Sequence, residues 1–281
     1  MARIDALLRD ATRRIGGDSP RLDAEILLAH VLGKPRSHLY AWPEQEPDAN
    51  QRDAFARLIE RRVAGEPIAY LVGEQEFWSL RLTVTPAVLI PRPETERLVE
   101  LALTLHPEPV AEVLDLGTGS GAIAIALATE RRGWRLLATD VSEAALDVAR
   151  VNAERHHCRN LDFAQGNWYD AAPATRRFDL IISNPPYVRS DDPHLQQGDV
   201  RFEPEGALTS GRGGLDDIRR IVAGAREHLR PGGWLLVEHG YDQAVEAGEI
   251  FREAGLSEVR CEPDLGGRDR VTLGRYRPDD L

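Results

Sequence analysis

The sequence predicts an α/β protein: a mainly parallel, twisted sheet with helices on both faces, preceded by a small helical unit. Three observations carry this expectation. From residue 110 onward, short apolar runs alternate with helical stretches, the pattern that builds parallel βαβ units. Before residue 74 the apolar spacing is helical, and near residue 77 the period drops to two. The chain has 281 residues, which suits two domains at roughly 150 residues each.

Taken in order, Ile4, Leu7, Leu8, Ala11 and Ile15 recur at helical spacing. Ser19-Pro20 offers an N-cap followed by proline at the first helical position, and Leu22, Ile26 and Leu27 lead that second helix to a stop at Gly33. Phe55, Leu58, Ile59 and Val63 make a third stripe that closes at Gly65. Then Leu80, Leu82 and Val84 alternate with Arg81, Thr83 and Thr85, followed by Val88-Leu89-Ile90, so residues 76–90 are expected as a hairpin or strand pair. A helix with Leu98, Val99, Ala102 and Leu103 on one side follows. Strands are expected at Val113–Leu116, Arg135–Asp140, Leu161–Ala164, Asp179–Ser183, Trp234–Glu238, Glu258–Glu262 and Val271–Leu273, with helices near 120–130, 143–156, 215–229 and 243–254. The expected organisation is thus a helical domain over 1–75, a connecting hairpin over 76–90 and a sheet domain over 91–281.

Composition narrows the function. Apolar residues make up 42% and charged residues 29%, as in ordinary folded proteins. The longest apolar runs, such as Ile123–Ala128, are too short to span a bilayer, and the charge-broken N-terminus lacks the pattern of a signal peptide. A cytoplasmic protein with no membrane partner is expected. Cys158 and Cys261 stand far apart with no paired spacing, so neither a disulfide framework nor a metal site is expected. The net charge of −11 disfavours non-specific nucleic-acid binding, which needs a concentrated basic surface.

Four constellations carry chemistry. The first is Asp115-Leu-Gly117-Thr118-Gly119-Ser120-Gly121 at a strand-to-helix turn, where glycines permit a close backbone approach and the helix start offers N–H groups. Read as Gly117-x-Gly119-x-x-Ala122, it also fits a dinucleotide fingerprint. The second is Asp140, ending the next strand, a carboxylate placed to accept ribose hydroxyls. The third is Asn167-Trp168 after the following strand, an acceptor and a flat ring suited to a purine. The fourth is Asn184-Pro185-Pro186-Tyr187, ending the fourth strand of the sheet domain. Two prolines remove backbone donors and force extended geometry before them. The turn therefore presents backbone acceptors, with the Asn184 side-chain oxygen beside them and no competing backbone donors at the proline positions, a receptor for a planar –NH2 group, with Tyr187 as a flat face beside it.

Asn-Pro-Pro-Tyr after such a glycine loop resembles the amino-methyltransferases dependent on S-adenosyl-L-methionine (AdoMet), which act on adenine, cytosine or guanine amines or on a glutamine amide. Further segments resemble one branch, the release-factor glutamine methyltransferase (HemK-like) family: Arg21–Leu28, Gly65–Gly73, Ile90-Pro-Arg-Pro-Glu-Thr-Glu96, Asp192–Pro204, Val237-Glu-His-Gly240 and Arg270–Tyr276. The resemblance runs from end to end. It implies a Rossmann-like class I methyltransferase domain after a small N-terminal helical domain joined by a β-hairpin, the helical domain recognising substrate. The implied reaction moves the methyl of AdoMet to N5 of the glutamine in the Gly-Gly-Gln motif of bacterial release factors, leaving S-adenosyl-L-homocysteine. This places a monomeric enzyme in translation termination. By the same resemblance, Asp115, Gly117, Thr118, Gly119, Ser120, Gly121, Asp140, Asn167, Trp168 and Asn184 bind the cofactor. Asn184, Pro185, Pro186, Tyr187, Arg92 and Glu94 bind substrate, with Asn184, Pro185 and Tyr187 at the reacting amide. Glu96 and the 192–204 loop are expected to border the pocket. One position departs from the family pattern: aspartate is common before the tryptophan, where this chain has Asn167, which keeps an acceptor but loses charge assistance. An amino-methyltransferase of DNA, ribosomal RNA or a ribosomal protein, and a non-catalytic AdoMet-binding protein, remain open as alternatives from sequence.

Overall fold

The computed structural model describes residues 3–278. By its contacts the chain divides into two compact units. One runs to Glu74 and takes in Gln196–Phe202; the other comprises Gln75–Leu195 and the chain from Glu203 onward.

The first unit holds helices α1 (Ile4–Ile15), α2 (Pro20–Leu32), α3 (Arg36–Ala41), α4 (Ala49–Val63) and α5 (Ile68–Val72). The short α3 and α5 were not expected from the apolar spacing. Gly33 ends α2 in the left-handed conformation, its N–H returning to Ala29 and His30 carbonyls. Asp48 and Gln51 form a reciprocal capping box at the start of α4. Ile4, Leu8, Leu27, Leu28, Phe55 and Ile59 fill the core. Glu25 is buried beside them. Burial pushes its carboxyl up, but hydrogen bonds from Tyr40, Arg36 and Arg21 outweigh that and hold it below its ordinary value.

A two-stranded hairpin, β1 (Glu74–Phe77) and β2 (Leu80–Thr83), starts at the last residue of the first unit's main segment and from Gln75 belongs to the second. Trp78 and Ser79 both take positive φ (53° and 59°), which closes a two-residue turn without the usual Asn-Gly pair. The Trp78 N–H donates to Glu96 Oε1 at 2.7 Å and its indole to Glu130 Oε1 at 2.9 Å, which anchors the turn. The strand pair ends at Thr83: Val88-Leu89-Ile90 is not a strand but irregular chain, with Ala87, Val88 and Leu89 against the cavity described below.

Beyond it, α6 (Glu96–Leu105) leads into β3 (Glu112–Leu116), α7 (Ala122–Glu130), β4 (Arg135–Asp140), α8 (Glu143–Arg155), β5 (Leu161–Gln165), β6 (Phe178–Ser183), α9 (Asp216–His228), β7 (Leu229–Glu238), α10 (Ala244–Glu253), β8 (Ser257–Pro263) and β9 (Asp269–Arg275). These strands form one seven-stranded sheet in the order β5-β4-β3-β6-β7-β9-β8. The pairs among β3 to β7 are parallel, and β9 runs antiparallel to both β7 and β8. The strand order reverses between β3 and β6, and a crevice opens at the carboxyl ends of strands at such a switch point. Side chains alternate across the sheet: Leu180, Ile182 and Leu236 join α6 and α7 in one core, whereas Leu114, Ile181 and Leu235 join α9 and α10 in another.

Candidate active site

A cavity of about 350 Å³ lies at those strand ends, within the range of small-ligand sites. Gly117, Thr118, Gly119 and Ser120 form one wall; Asp140, Asn167 and Trp168 continue it; Arg92, Thr95, Asn184 and Pro186 stand among the residues opposite. Every one of these except Thr95 was singled out from the sequence. Asp115, Gly121, Glu94, Pro185 and Tyr187, also singled out, are not among the lining residues.

The glycine loop is held from within. The N–H groups of Gly117 and Thr118 both donate to the Thr139 carbonyl at 2.9 Å, and that of Gly121 to the Thr118 carbonyl at 2.9 Å. Gly119 N–H donates to Asp140 Oδ2 at 2.9 Å, and Asp140 Oδ1 accepts from Ser142 N–H at 2.9 Å. These loop donors are consumed, so this part of the turn is not the amide cradle that a pyrophosphate requires. Gly121 caps α7 with φ +83°, and a Cβ there would meet Ile125 at 2.8 Å. Gly117, at φ +72°, lets the Trp168 ring approach: its missing Cβ would lie 3.3 Å from that ring. Trp168 itself takes φ 51°, a conformation costly for a large residue and concentrated at functional sites. Asn152 on α8 is fully buried and ties the wall to the hairpin; its Nδ2 donates to the carbonyls of Thr83 and Ser120, both at 2.9 Å.

Asp115 lies beneath the loop. Thr118 Oγ1 donates to its Oδ2 at 2.6 Å, while its buried Oδ1 has no partner among the described residues. Burial pushes this carboxyl up to about 7; the Asp140 charge adds to the rise, and the Thr118 hydroxyl and Ala124 amide oppose it.

On the opposite side, Asn184 Nδ2 donates to Thr95 Oγ1 at 3.1 Å. The Asn184 Oδ1 is buried and has no partner among the described residues. A buried acceptor left unpaired costs about 1–3 kcal/mol, so this oxygen is suited to accept from an incoming N–H. The Tyr187 hydroxyl donates to Glu238 Oε1 at 3.4 Å, behind the cavity wall. Burial, with Glu238 beside it, raises this phenol well above its ordinary value, so it stays protonated. Glu238 is 1% exposed, and its burial pushes the carboxyl up to about 7 against a hydrogen bond from Thr95, the charge of Arg270 and the bond from Tyr187.

Arg92 reaches the cavity but is ion-paired to Glu203, whose side chain is fully buried and also accepts from Ile90 N–H at 3.0 Å. The Asp192–Pro204 segment touches the cavity at Pro204, while Gln196–Phe202 pack in the helical unit, where Asp199 pairs with Arg62 at 2.7 Å. Glu94 borders a neighbouring surface pocket with Trp78 and Arg97, and Glu96 anchors the hairpin turn. His239 is buried between the Gly240 carbonyl and Thr272, and burial lowers its proton affinity. No cluster of three or more His, Cys, Asp or Glu suited to a metal ion occurs among the described residues. No helix among them is long and apolar enough to cross a membrane. Thr95, Asn152, Glu203 and Glu238 are the partners that sequence reading missed as site builders. Thr95, Glu203 and Glu238 stood inside segments that resembled the family; Asn152 carried no such signal.

Comparison with known proteins adds a second line of evidence. The model of the PrmC N-terminal domain matches residues 6–73, and that of the methyltransferase small domain matches residues 97–200. The release factor glutamine methyltransferase of Vibrio cholerae is 50% identical over 279 residues, covering 98% of this chain and 98% of that protein. Its namesake from Pseudomonas aeruginosa is 49% identical over 278 residues, covering 98% and 99%. Among solved structures, a methyltransferase from Pyrococcus furiosus superimposes with a TM-score of 0.55 at 19% identity, over 79% of this chain and 99% of that one. The 16S rRNA N2 G1207 methyltransferase of Thermus thermophilus, solved with AdoMet and guanosine, gives 0.52 at 22% identity, over 73% and 50%. These structural matches bear on the fold alone, which is that of an α/β methyltransferase.

Proposed function

The chain belongs to the release factor glutamine methyltransferase family, and from that premise we propose that it methylates N5 of the glutamine in the Gly-Gly-Gln motif of bacterial release factors, using AdoMet. The observation that carries this reading is the buried, unpartnered Asn184 Oδ1 beside two prolines that offer no N–H. A planar amide –NH2 supplies the missing donor.

The residues of the opposite wall fit AdoMet. The unpartnered Asp115 Oδ1 suits the ammonium of its methionine part, Asp140 keeps a lone pair on each oxygen for ribose hydroxyls, and Asn167 and Trp168 suit the adenine. When bound, AdoMet supplies a methyl group on a sulfonium that leaves without acid assistance. Asn184 Oδ1 accepts one N–H of the glutamine amide, and the Pro185 carbonyl the other. Holding both N–H bonds fixes the amide and draws electron density onto its nitrogen. As the new bond forms, these N–H bonds become more acidic, so the same acceptors bind the transition state more tightly than the ground state. Positioning carries most of the effect. The methyl–sulfur bond breaks as the methyl–nitrogen bond forms, the neutral thioether leaves, and the proton lost from the methylated nitrogen passes to solvent, so this account requires no side-chain base.

Residues 1–75 serve, in this reading, as the part that recognises the release factor away from its glutamine. The net charge of −11 supports a protein substrate over nucleic acid. The test is methyl transfer from labelled AdoMet to full-length release factor, a large-subunit ribosomal protein and duplex DNA offered side by side. Mass spectrometry should place the label on the Gly-Gly-Gln glutamine. Preferential labelling of the ribosomal protein or of DNA overturns the reading.

A further inference from the structure

In a Gly-Gly-Gln segment the glutamine follows two residues without side chains, so an enzyme can hold that stretch only through its main-chain N–H and C=O groups. A main-chain carbonyl calls for a donor. Arg92 is the one Lys or Arg among the described residues that line the cavity, where it stands with Pro91, Asn184 and Pro186. A guanidinium carries five N–H donors and no acceptor. The described residues take up one of them, in the bond from Arg92 Nη2 to Glu203 Oε1, so donors remain for a ligand. The carbonyl of the reacting amide itself is the wrong partner, because a cation there would draw electron density off the nitrogen that attacks the methyl.

Glu203 holds this stretch at two points. Its Oε1 accepts from Arg92 and its Oε2 from Ile90 N–H at 3.0 Å, so one carboxylate brackets Ile90-Pro91-Arg92. Residues 84–92 form neither helix nor strand, so no ladder of regular backbone bonds fixes them. The two partners are unequally covered: the Glu203 side chain is 0% exposed and that of Arg92 36%. Burying a carboxylate is expensive, and a well-packed apolar side chain is often at least as stabilising. What the buried charge achieves is to hold a planar, permanently charged fork at the cavity wall.

We propose that Arg92 donates to a main-chain carbonyl of the Gly-Gly-Gln segment, and that Glu203 is the positioning residue that holds it for that contact. This rests on the reading of the chain as a methyltransferase of release factors. The test measures kcat, KM for full-length release factor and AdoMet Kd in Arg92→Ala, Glu203→Gln and the double variant. Arg92→Ala should raise KM about tenfold, the scale of one lost hydrogen bond to a charged donor, with a smaller change in kcat and AdoMet Kd within about twofold. Glu203→Gln keeps an oxygen for Ile90 N–H but loses the ion pair, and should raise KM by less. The double variant should match Arg92→Ala, because Glu203 acts through Arg92. Should Arg92→Ala fail to fold, having left a buried carboxylate without its cation, the double variant carries the test of Arg92 and Glu203→Gln that of positioning. Wild-type KM in the arginine variant that folds overturns the proposal, as does wild-type KM in Glu203→Gln. A loss of AdoMet affinity in place of the rise in KM also overturns it, since Arg92 would then serve the cofactor's carboxylate. So does a Glu203→Gln effect of equal size with and without Arg92, the mark of a merely structural carboxylate. If the wild-type enzyme does not label release factor, the reading of function fails instead, and the two failures are told apart.

Discussion

On the glycine-loop side of the cavity, Gly117, Thr118 and Gly119 spend their N–H groups on Thr139 and Asp140, and Asn152 ties Ser120 to the hairpin. On the other side, a single buried oxygen of Asn184 is left without a donor. The first wall is preorganised by many small bonds and offers shape together with two carboxylates. The second presents a buried amide acceptor that, in the proposed function, a substrate N–H completes. That proposal gives cofactor binding and methyl transfer to different residues, so substitutions on the two walls should move different observables.

The sharpest way to break this division is Asn184→Ala. Turnover should fall about 100-fold or more, because a misplacement of the reacting amide by about 1 Å already costs that much. Calorimetry should show unchanged AdoMet affinity. A parallel loss of affinity would merge the two walls into one. Next in size is Asp140→Ala, which removes charge-assisted contacts to the ribose and the clamp on Gly119. AdoMet affinity should weaken by about 10- to 100-fold, and unchanged affinity would remove the cofactor assignment. Asn167→Ala tests the same wall more gently, with a loss of about 1 kcal/mol expected, the scale of one neutral hydrogen bond.

The smallest effect is in the pH dependence of binding. In the ligand-free protein Asp115 is held up to about 7 from an ordinary 3.8, so below that pH the folded protein carries it protonated. A bound ammonium favours the ionised form, and AdoMet binding therefore releases this proton. Affinity should weaken as pH falls from 7.5 to 6, and Asp115→Asn should flatten that dependence. An equally steep dependence in Asp115→Asn would place the titrating group elsewhere.

Much of this was legible in the sequence because the signals were local. The seven strands of the large sheet follow apolar runs, and the acceptor turn follows from Asn184 and its two prolines. The short helices Arg36–Ala41 and Ile68–Val72 escaped because a span so brief has too few turns to show a period. Val88-Leu89-Ile90 looked like a strand because an apolar run is equally satisfied by irregular chain buried elsewhere. The internal bonding of the glycine loop escaped because its acceptors, Thr139 and Asp140, come from the next strand. The same holds for Thr95 and Glu238: their meaning lies in a contact with Asn184 and Tyr187 across long stretches of sequence, which no spacing announces.

The central claim, that Asn184 works as an acceptor of the substrate amide, is tested most directly by comparing Asn184→Asp with Asn184→Ala. Single-turnover methyl transfer to release factor at saturating AdoMet is the measurement. Aspartate keeps an oxygen where Oδ1 stands, so it should retain clearly more activity than alanine, with AdoMet affinity intact in both. Equal inactivity of the two with affinity intact, or wild-type turnover in alanine, would contradict the account.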